Sequence, residues 1–336
     1  MVSDSYPVIE RVLDGLFRVE IPLPNLALKS LNSYFIITPD RNLVIDTGMD
    51  LPECLKVMQA AMKKLGVDID KTDFMITHQH IDHIGLIVFL AGKKNRVYFN
   101  TLEARLMTTV SLQEWAREAT NFARRHGFPE RYAREMQNNI NRMRDNTNNY
   151  PEFTTISEGD VIEIGDYSFK CIHTPGHTRG HMCLYEPDKK LFFSGDHILD
   201  DITPNISTRY NDIENPLSEY LQSLEKIYAL DIKLCLPGHR NLIIDFRGRI
   251  DALKSHHEQR AQEILEILQD GEMDAYRVAS KMSWDMTYET WEDFPVFPKW
   301  FAFSEALSHL QYLEAIGKVQ KLISKEGKVV YRSKLD

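Results

Sequence analysis

The chain has 336 residues, 43% of them hydrophobic and 26% charged, with 16 Gly and 14 Pro. That composition excludes a mainly disordered, collagen-like or low-complexity protein, and the length predicts a large domain with a smaller appendage. Basic side chains number 40 against 49 acidic ones, a net charge of −9, which argues against nucleic acid as a partner without excluding a local basic patch.

Residues 1–12 lack the basic and then apolar stretches of a signal peptide, and no apolar run approaches the ~18 residues of a membrane span. No membrane partner is therefore expected. Short β-branched or aromatic runs at 17–21, 33–38 and 42–46 read as strands, punctuated by Pro22, Pro24 and Pro39. Leu51, Leu55, Met58 and Met62 recur at helical spacing, so a helix follows the Asp46-Thr47-Gly48 turn. Residues 74–76 and 97–99 read as buried strands, and 84–91 as helix. Residues 101–150 read as a helical insertion, with Trp115, Ala119, Phe122 and Ala123 on one face and Tyr132, Met136, Ile140 and Met143 on another. This insertion holds eight Arg, no Lys and six acids, and is expected to present a solvated face.

Strands return at 161–164, 167–173, 181–185 and 191–194. Asn215-Pro216 opens a helix with Leu217, Tyr220, Leu221, Leu224 and Ile227 inward, and 232–236 is the last strand of a domain expected over 1–250. Residues 251–336 predict three helices and a terminal hairpin, a small winged-helix-like domain. Its 11 Lys and Arg against 15 Asp and Glu make it a poor DNA reader, so packing or homodimerisation is its expected role. His126, His256, His257 and His309 fall on predicted helices and are expected at the surface. The aromatic run from Trp284 to Phe301 is expected in a core or domain interface. Cys54, Cys171, Cys183 and Cys235 are widely spaced with no C-x-x-C, which predicts reduced, buried thiols and a cytoplasmic location.

The chemistry concentrates in Thr77-His78-Gln79-His80-Ile81-Asp82-His83, directly after the strand at 74–76. A loop leaving a strand can turn alternate side chains to one point. His78 and His80 can then share one metal while Asp82 and His83 face a second. His177, Asp196 and His239 each lie in a Gly-containing turn after a strand and supply further donors. His173, His181 and His197 flank these positions and read as supporting or packed histidines.

In this order, the Asp46 turn, the H-x-H-x-D-H string, the His177 turn, Asp196 and His239 resemble the metallo-β-lactamase superfamily over about 17–245. The resemblance implies an α/β fold, an αββα sandwich with its site on one edge of two sheets. It implies that His78, His80 and His177 hold one ion, that Asp82, His83 and His239 hold a second, and that Asp196 bridges them. Asp46 matches a position that supports the site from behind, a role His181 is expected to share. His80 stands where redox di-iron members carry Glu, and Asp196 where one group of true β-lactamases has Cys. The pattern is similar to glyoxalase II and ribonuclease Z sites. Leu86 replaces the second Gly of H-x-H-x-D-H-x-G-G, which is expected to change packing rather than ligation. The C-terminal segment resembles the tail of lactamase-β-like hydrolases, of which some cut single-stranded RNA and others hydrolyse acyl thioesters.

The expected function is dinuclear metal-dependent hydrolysis. A hydroxide bridging two divalent ions attacks an ester or thioester carbonyl, with Asp82 and Asp196 as the catalytic carboxylates. The nitrogen and oxygen donors suit Zn²⁺, with Fe or Mn as alternatives. The acidic chain favours a small-molecule acyl substrate, which the 101–150 insertion is expected to roof. The alternatives are a metal-dependent endoribonuclease and a non-catalytic metal-binding scaffold.

Overall fold

A computed structural model describes residues 7–334 except 25, 27, 143–145, 147, 209–214 and 286–287. One sheet takes its strands in chain order: β1 (Val8–Leu13), β2 (Leu16–Pro22), β3 (Ser30–Ile36), β4 (Asn42–Ile45), β5 (Thr72–Met75), β6 (Val97–Asn100) and β7 (Thr154–Ile156). β1 to β4 form an antiparallel meander, and β4 to β7 run parallel. The second sheet holds β8 (Val161–Ile164), β9 (Tyr167–His173), β10 (Met182–Glu186), β11 (Leu191–Gly195) and β12 (Leu234–Pro237), ordered β12-β11-β10-β9-β8. The two strands that the sequence patterns left out, β1 and β7, are edge strands with mostly solvent-facing side chains. Such strands carry little hydrophobic alternation to read.

Strand alternation divides β3 between two cores. Tyr34 and Ile36 point between the sheets with Phe169, Phe193 and Leu236, whereas Leu31 and Phe35 point outward. The outward side packs on α1 (Pro52–Leu65), which has Pro52 at its first turn and buries Cys54, Met58, Ala61 and Met62. Two short helices, α2 (Ile81–Ile84) and α3 (Ile87–Leu90), and α4 (Thr101–Thr109) complete that layer. On the opposite side the Phe192 ring of β11 meets Phe246, whose centroid is 5.5 Å away. The architecture is an αββα sandwich.

The remaining helices are α5 (Leu112–Arg125), α6 (Glu130–Ile140), α7 (Pro216–Tyr228), α8 (Phe246–Ile267), α9 (Ala275–Lys281) and α10 (Val296–Ala315), followed by a hairpin of β13 (Val319–Ile323) and β14 (Val329–Ser333). Asn215 caps α7, accepting the Ser218 N–H at 3.1 Å. The chain divides into two compact units. One is Met1–Thr109, Asn146–Pro204 and Lys226–Arg249; the other is Val110–Asp145, Asn205–Glu225 and Ile250–Asp336. This differs from the expected division at 250, which kept all of 101–150 with the sandwich. α4 stays with the sandwich, but α5 and α6 share one core with α8, α9 and α10. The reason is apolar burial. Ala116, Ala119, Ala123 and Phe128 need a partner face, and the Phe128 ring lies 5.0 Å from Phe303 and 5.3 Å from Trp300. Trp115 and Phe122 are half-buried against this same core. Phe294 and Trp300 are buried as well, while Tyr288 and Phe301 are exposed.

His126, His257 and His309 are buried, against the expectation of surface positions. His309 Nδ1–H donates to the Glu305 carbonyl at 2.9 Å, which leaves its Nε2 to accept from His257 Nδ1 at 3.1 Å. Burial lowers the pKa of His309 to about 4, and that of His126 to about 4 with help from Lys321 and Arg125. Burial and the His309 charge hold His257 well below the ordinary imidazole value. These folded-state values lie below the unfolded value of about 6.5, so the unfolded chain binds more protons in acid. Their contribution is intact above about pH 6.5 and is lost as pH falls toward 4, with His309 accounting for roughly 3 kcal/mol. Denaturant unfolding between pH 7 and 4.5 should therefore show a steep acid loss. His309→Gln should flatten that slope, and an unchanged slope would refute the assignment.

Candidate metal centre

Every donor in the proposed centre comes from the sandwich unit, at strand ends. Asp46 follows β4, His78 follows β5, His177 lies between β9 and β10, and Asp196 and His239 follow β11 and β12. After His80 the chain turns directly into α2, which brings Asp82 and His83 round toward the same point. The expected helix over 84–91 is instead split at Gly85 and Leu86. A side chain at Gly85 would collide with the Ile81 carbonyl, and the Leu86 N–H donates to the Gly48 carbonyl at 3.0 Å. Leu86 itself is fully buried in the core behind the loop.

The donors fall into two groups: His78, His80, His177 and Asp196 in one, and Asp82, His83 and His239 in the other. His80 Nδ1 lies 2.9 Å from both His78 Nε2 and His177 Nε2. Asp196 reaches both groups, Oδ2 standing 3.6 Å from His177 Nε2 and Oδ1 3.4 Å from His83 Nε2 and 3.5 Å from His239 Nε2. Asp82 Oδ2 is 3.4 Å from His239 Nε2.

The atoms behind the donors dictate their tautomers. His239 Nδ1–H donates to the Ser30 carbonyl at 2.8 Å. Asp46, nearly fully buried, accepts the Thr77 N–H and hydroxyl at 2.8 Å each and His83 Nδ1–H at 2.7 Å. With its proton given to Asp46, the Thr77 hydroxyl accepts from His78 Nδ1 at 3.1 Å. All three rings therefore turn Nε2 toward the centre, the atom each can offer to a metal on losing its proton. His181 Nε2 accepts the Asp196 N–H at 3.1 Å, and its Nδ1 meets the Thr174 hydroxyl at 2.8 Å. His181 thus holds the backbone of Asp196. His197 is buried nearby, and His173 turns away to the Arg179 carbonyl at 2.9 Å.

Charge follows the same geometry. Burial alone lowers the pKa of His83, but Asp46, Asp196 and Asp82 raise it well above the imidazole value. Burial likewise opposes the His239 charge, yet Asp196 and Asp82 raise its pKa to about 10. Against the upward pull of burial, His239 and His83 hold Asp196 well below the carboxylate range, and His83 and His239 hold Asp82 down. His78, facing other imidazoles, is held well below the imidazole range by burial and by His83.

Among the described residues, His83 Nε2, Asp196 Oδ1 and His239 Nε2 are buried with no hydrogen-bond partner, which is costly unless something pairs with them. Two donors on one tetrahedral Zn²⁺ stand roughly 3.3 Å apart, close to the separations around Asp196. The residues fit metal ions. Sequence reasoning placed every member of the two groups but not the supporting contacts of Thr77 and Ser30, whose partners lie on other strands.

The family profile described as the metallo-beta-lactamase superfamily matches residues 28–239. A beta-lactamase-like protein 2 homolog of Drosophila melanogaster is 29% identical over 77% of this chain and 76% of its own. An atrochrysone carboxyl ACP thioesterase of Aspergillus novofumigatus is 23% identical over 79% of this chain and 66% of its own. The crystal structure of a metallo-beta-lactamase family protein from Thermus thermophilus superposes with a TM-score of 0.81 at 25% identity, covering 96% of this chain and 100% of that one.

Asp46→Asn keeps the shape but replaces a carboxylate oxygen with a donor facing other donors. Ion affinity of the chelator-stripped protein should fall tenfold to a hundredfold. An unchanged titration would remove Asp46 from its supporting role.

Proposed function

The chain belongs to the metallo-beta-lactamase superfamily, and from that premise we propose that it is a dinuclear metal-dependent hydrolase of acyl esters or thioesters. The observation that carries this reading is the Asp196 carboxylate, whose two oxygens face two different groups of donors. In this reading His78, His80 and His177 hold one ion, Asp82, His83 and His239 the other, and Asp196 both, with Zn²⁺ favoured by the donor types. Bound ions supply Lewis acidity toward the acyl oxygen and lower the pKa of a water from 15.7 toward about 7.

The protein's own groups orient and deprotonate. The Asp82 side chain is 13% exposed, while His83 and His239 are at 0%, so Asp82 is the member of its group that solvent reaches. Held ionised by its imidazole neighbours, it is the catalytic residue that can orient the attacking water and accept its proton. Three supports favour an acyl substrate over RNA. A related protein is named as a thioesterase. The net charge is −9. Arg117, Arg124 and Arg134 of the helical segment already pair with Glu118 or Glu130. All four cysteines are buried and free, which supports a reducing compartment such as the cytoplasm.

The test is a side-by-side assay of an acyl-thioester and ester panel and a single-stranded RNA, with elemental analysis. We expect about two ions per chain, and acyl hydrolysis that is lost on chelation and restored by Zn²⁺. RNA cleavage with thioesters untouched would overturn the substrate, and one ion per chain would overturn the dinuclear centre.

A further inference from the structure

We propose that each half of the centre is aimed by its own buried positioning residue, Asn32 for His239 and Glu103 for His177, so that the two ion affinities are set separately. This rests on the dinuclear reading above. Asn32 lies on the inward face of β3, where alternation puts Ser30, Asn32 and Tyr34 on one side. Its side-chain amide has two N–H bonds, and each goes to a carbonyl flanking His239: Pro237 at 3.0 Å and Arg240 at 2.9 Å. Both acceptors are carbonyl oxygens, so the nitrogen, not the oxygen, of the amide faces them. The backbone N–H of Asn32 takes the carbonyl between, Gly238, at 2.7 Å. Arg240 is left-handed at φ 66°, a conformation unfavourable for a non-glycine residue, and its carbonyl is also held by Arg18 at 3.2 Å. Asn32 thus fixes the turn on both sides of the ligand, and Ser30 fixes the ring.

Glu103 does the corresponding work on the other turn. It is 1% exposed in the first turn of α4, and its Oε1 accepts the Thr178 hydroxyl in a short bond and the Gly180 N–H at 2.9 Å. Any side chain at Gly180 would meet Glu103 Cγ at 2.5 Å, so the carboxylate lies directly against the turn that carries His177. Asn32 acts through the backbone beside His239, and Glu103 through the Thr178 hydroxyl and the Gly180 N–H beside His177.

Titration of chelator-stripped protein with Zn²⁺ against a chromophoric chelator separates the halves. Asn32→Asp is isosteric but offers no donor to the two carbonyls. In a His80→Ala background, which leaves only the His239 half, it should weaken the remaining ion at least tenfold. In a His239→Ala background it should change nothing. Glu103→Ala should show the reverse pattern, and Glu103→Gln, whose amide oxygen still accepts both bonds, should restore affinity. If Asn32→Asp does not fold, Tyr34→Phe deletes only the 2.7 Å hydroxyl bond to the same Pro237 carbonyl and should give the same selective loss, severalfold. A wild type binding two ions with both halves equally affected, or neither, overturns the positioning roles alone. A wild type binding one ion overturns the dinuclear reading and this division with it.

Discussion

The buried carboxylate of Asp46 is the constraint on which the centre depends. Its oxygens accept from the Thr77 backbone, the Thr77 hydroxyl and His83, and so tie the end of β4 to the loop after β5 and to α2. Asp46 adopts φ 57°, in the left-handed region that a non-glycine residue rarely occupies. Thr47 adds a second tie, its N–H and hydroxyl both donating to the His83 carbonyl at 2.8 Å. One residue outside the ligand set therefore fixes the orientation of His83 directly and of His78 through Thr77. The ligand loop has no freedom to choose another arrangement without leaving a buried carboxylate unpaired.

A second consequence is electrostatic. Imidazoles and carboxylates are packed together, so Asp196 and Asp82 favour charge on His83 and His239, and those imidazoles favour charge on the carboxylates. A divalent cation would replace imidazole protons with a charge that all the donors can share. No thiolate competes for it: Cys183 lies 3.2 Å from the Thr174 hydroxyl, but burial pushes its pKa far above the ordinary thiol range. The donor set is nitrogen and oxygen throughout.

What was legible in the sequence follows from this division. The candidate donors cluster in short strings after strands, so their types and spacing expose them, and the strands between them show ordinary alternation. Asn32 and Glu103 act through hydrogen bonds to backbone more than 70 positions away, and no local pattern encodes such a partner. The packing of the helical segment was not legible for a related reason. The faces of α5 and α6 are visibly amphipathic, but which distant helices cover them is decided by shape, through contacts such as Phe128 against Phe303. His126, His257 and His309 are buried although their positions on predicted helices suggested solvent.

The two units also respond to acid by different chemistry but in the same direction. In the helical unit, charging His257 or His309 places an ion in a site built to hold a neutral hydrogen-bonded pair. In the sandwich, a ligand nitrogen must release its proton before it can bind metal, so protons compete with the ions as pH falls. The first effect does not depend on metal and the second does. Acid loss of fold and acid loss of metal are therefore separable: chelation leaves the helical contribution to stability where it was, while removing whatever bound ions add to the sandwich. A protein of this design is most secure above the ordinary imidazole pKa, where the helical core is neutral and the donors yield their protons to metal.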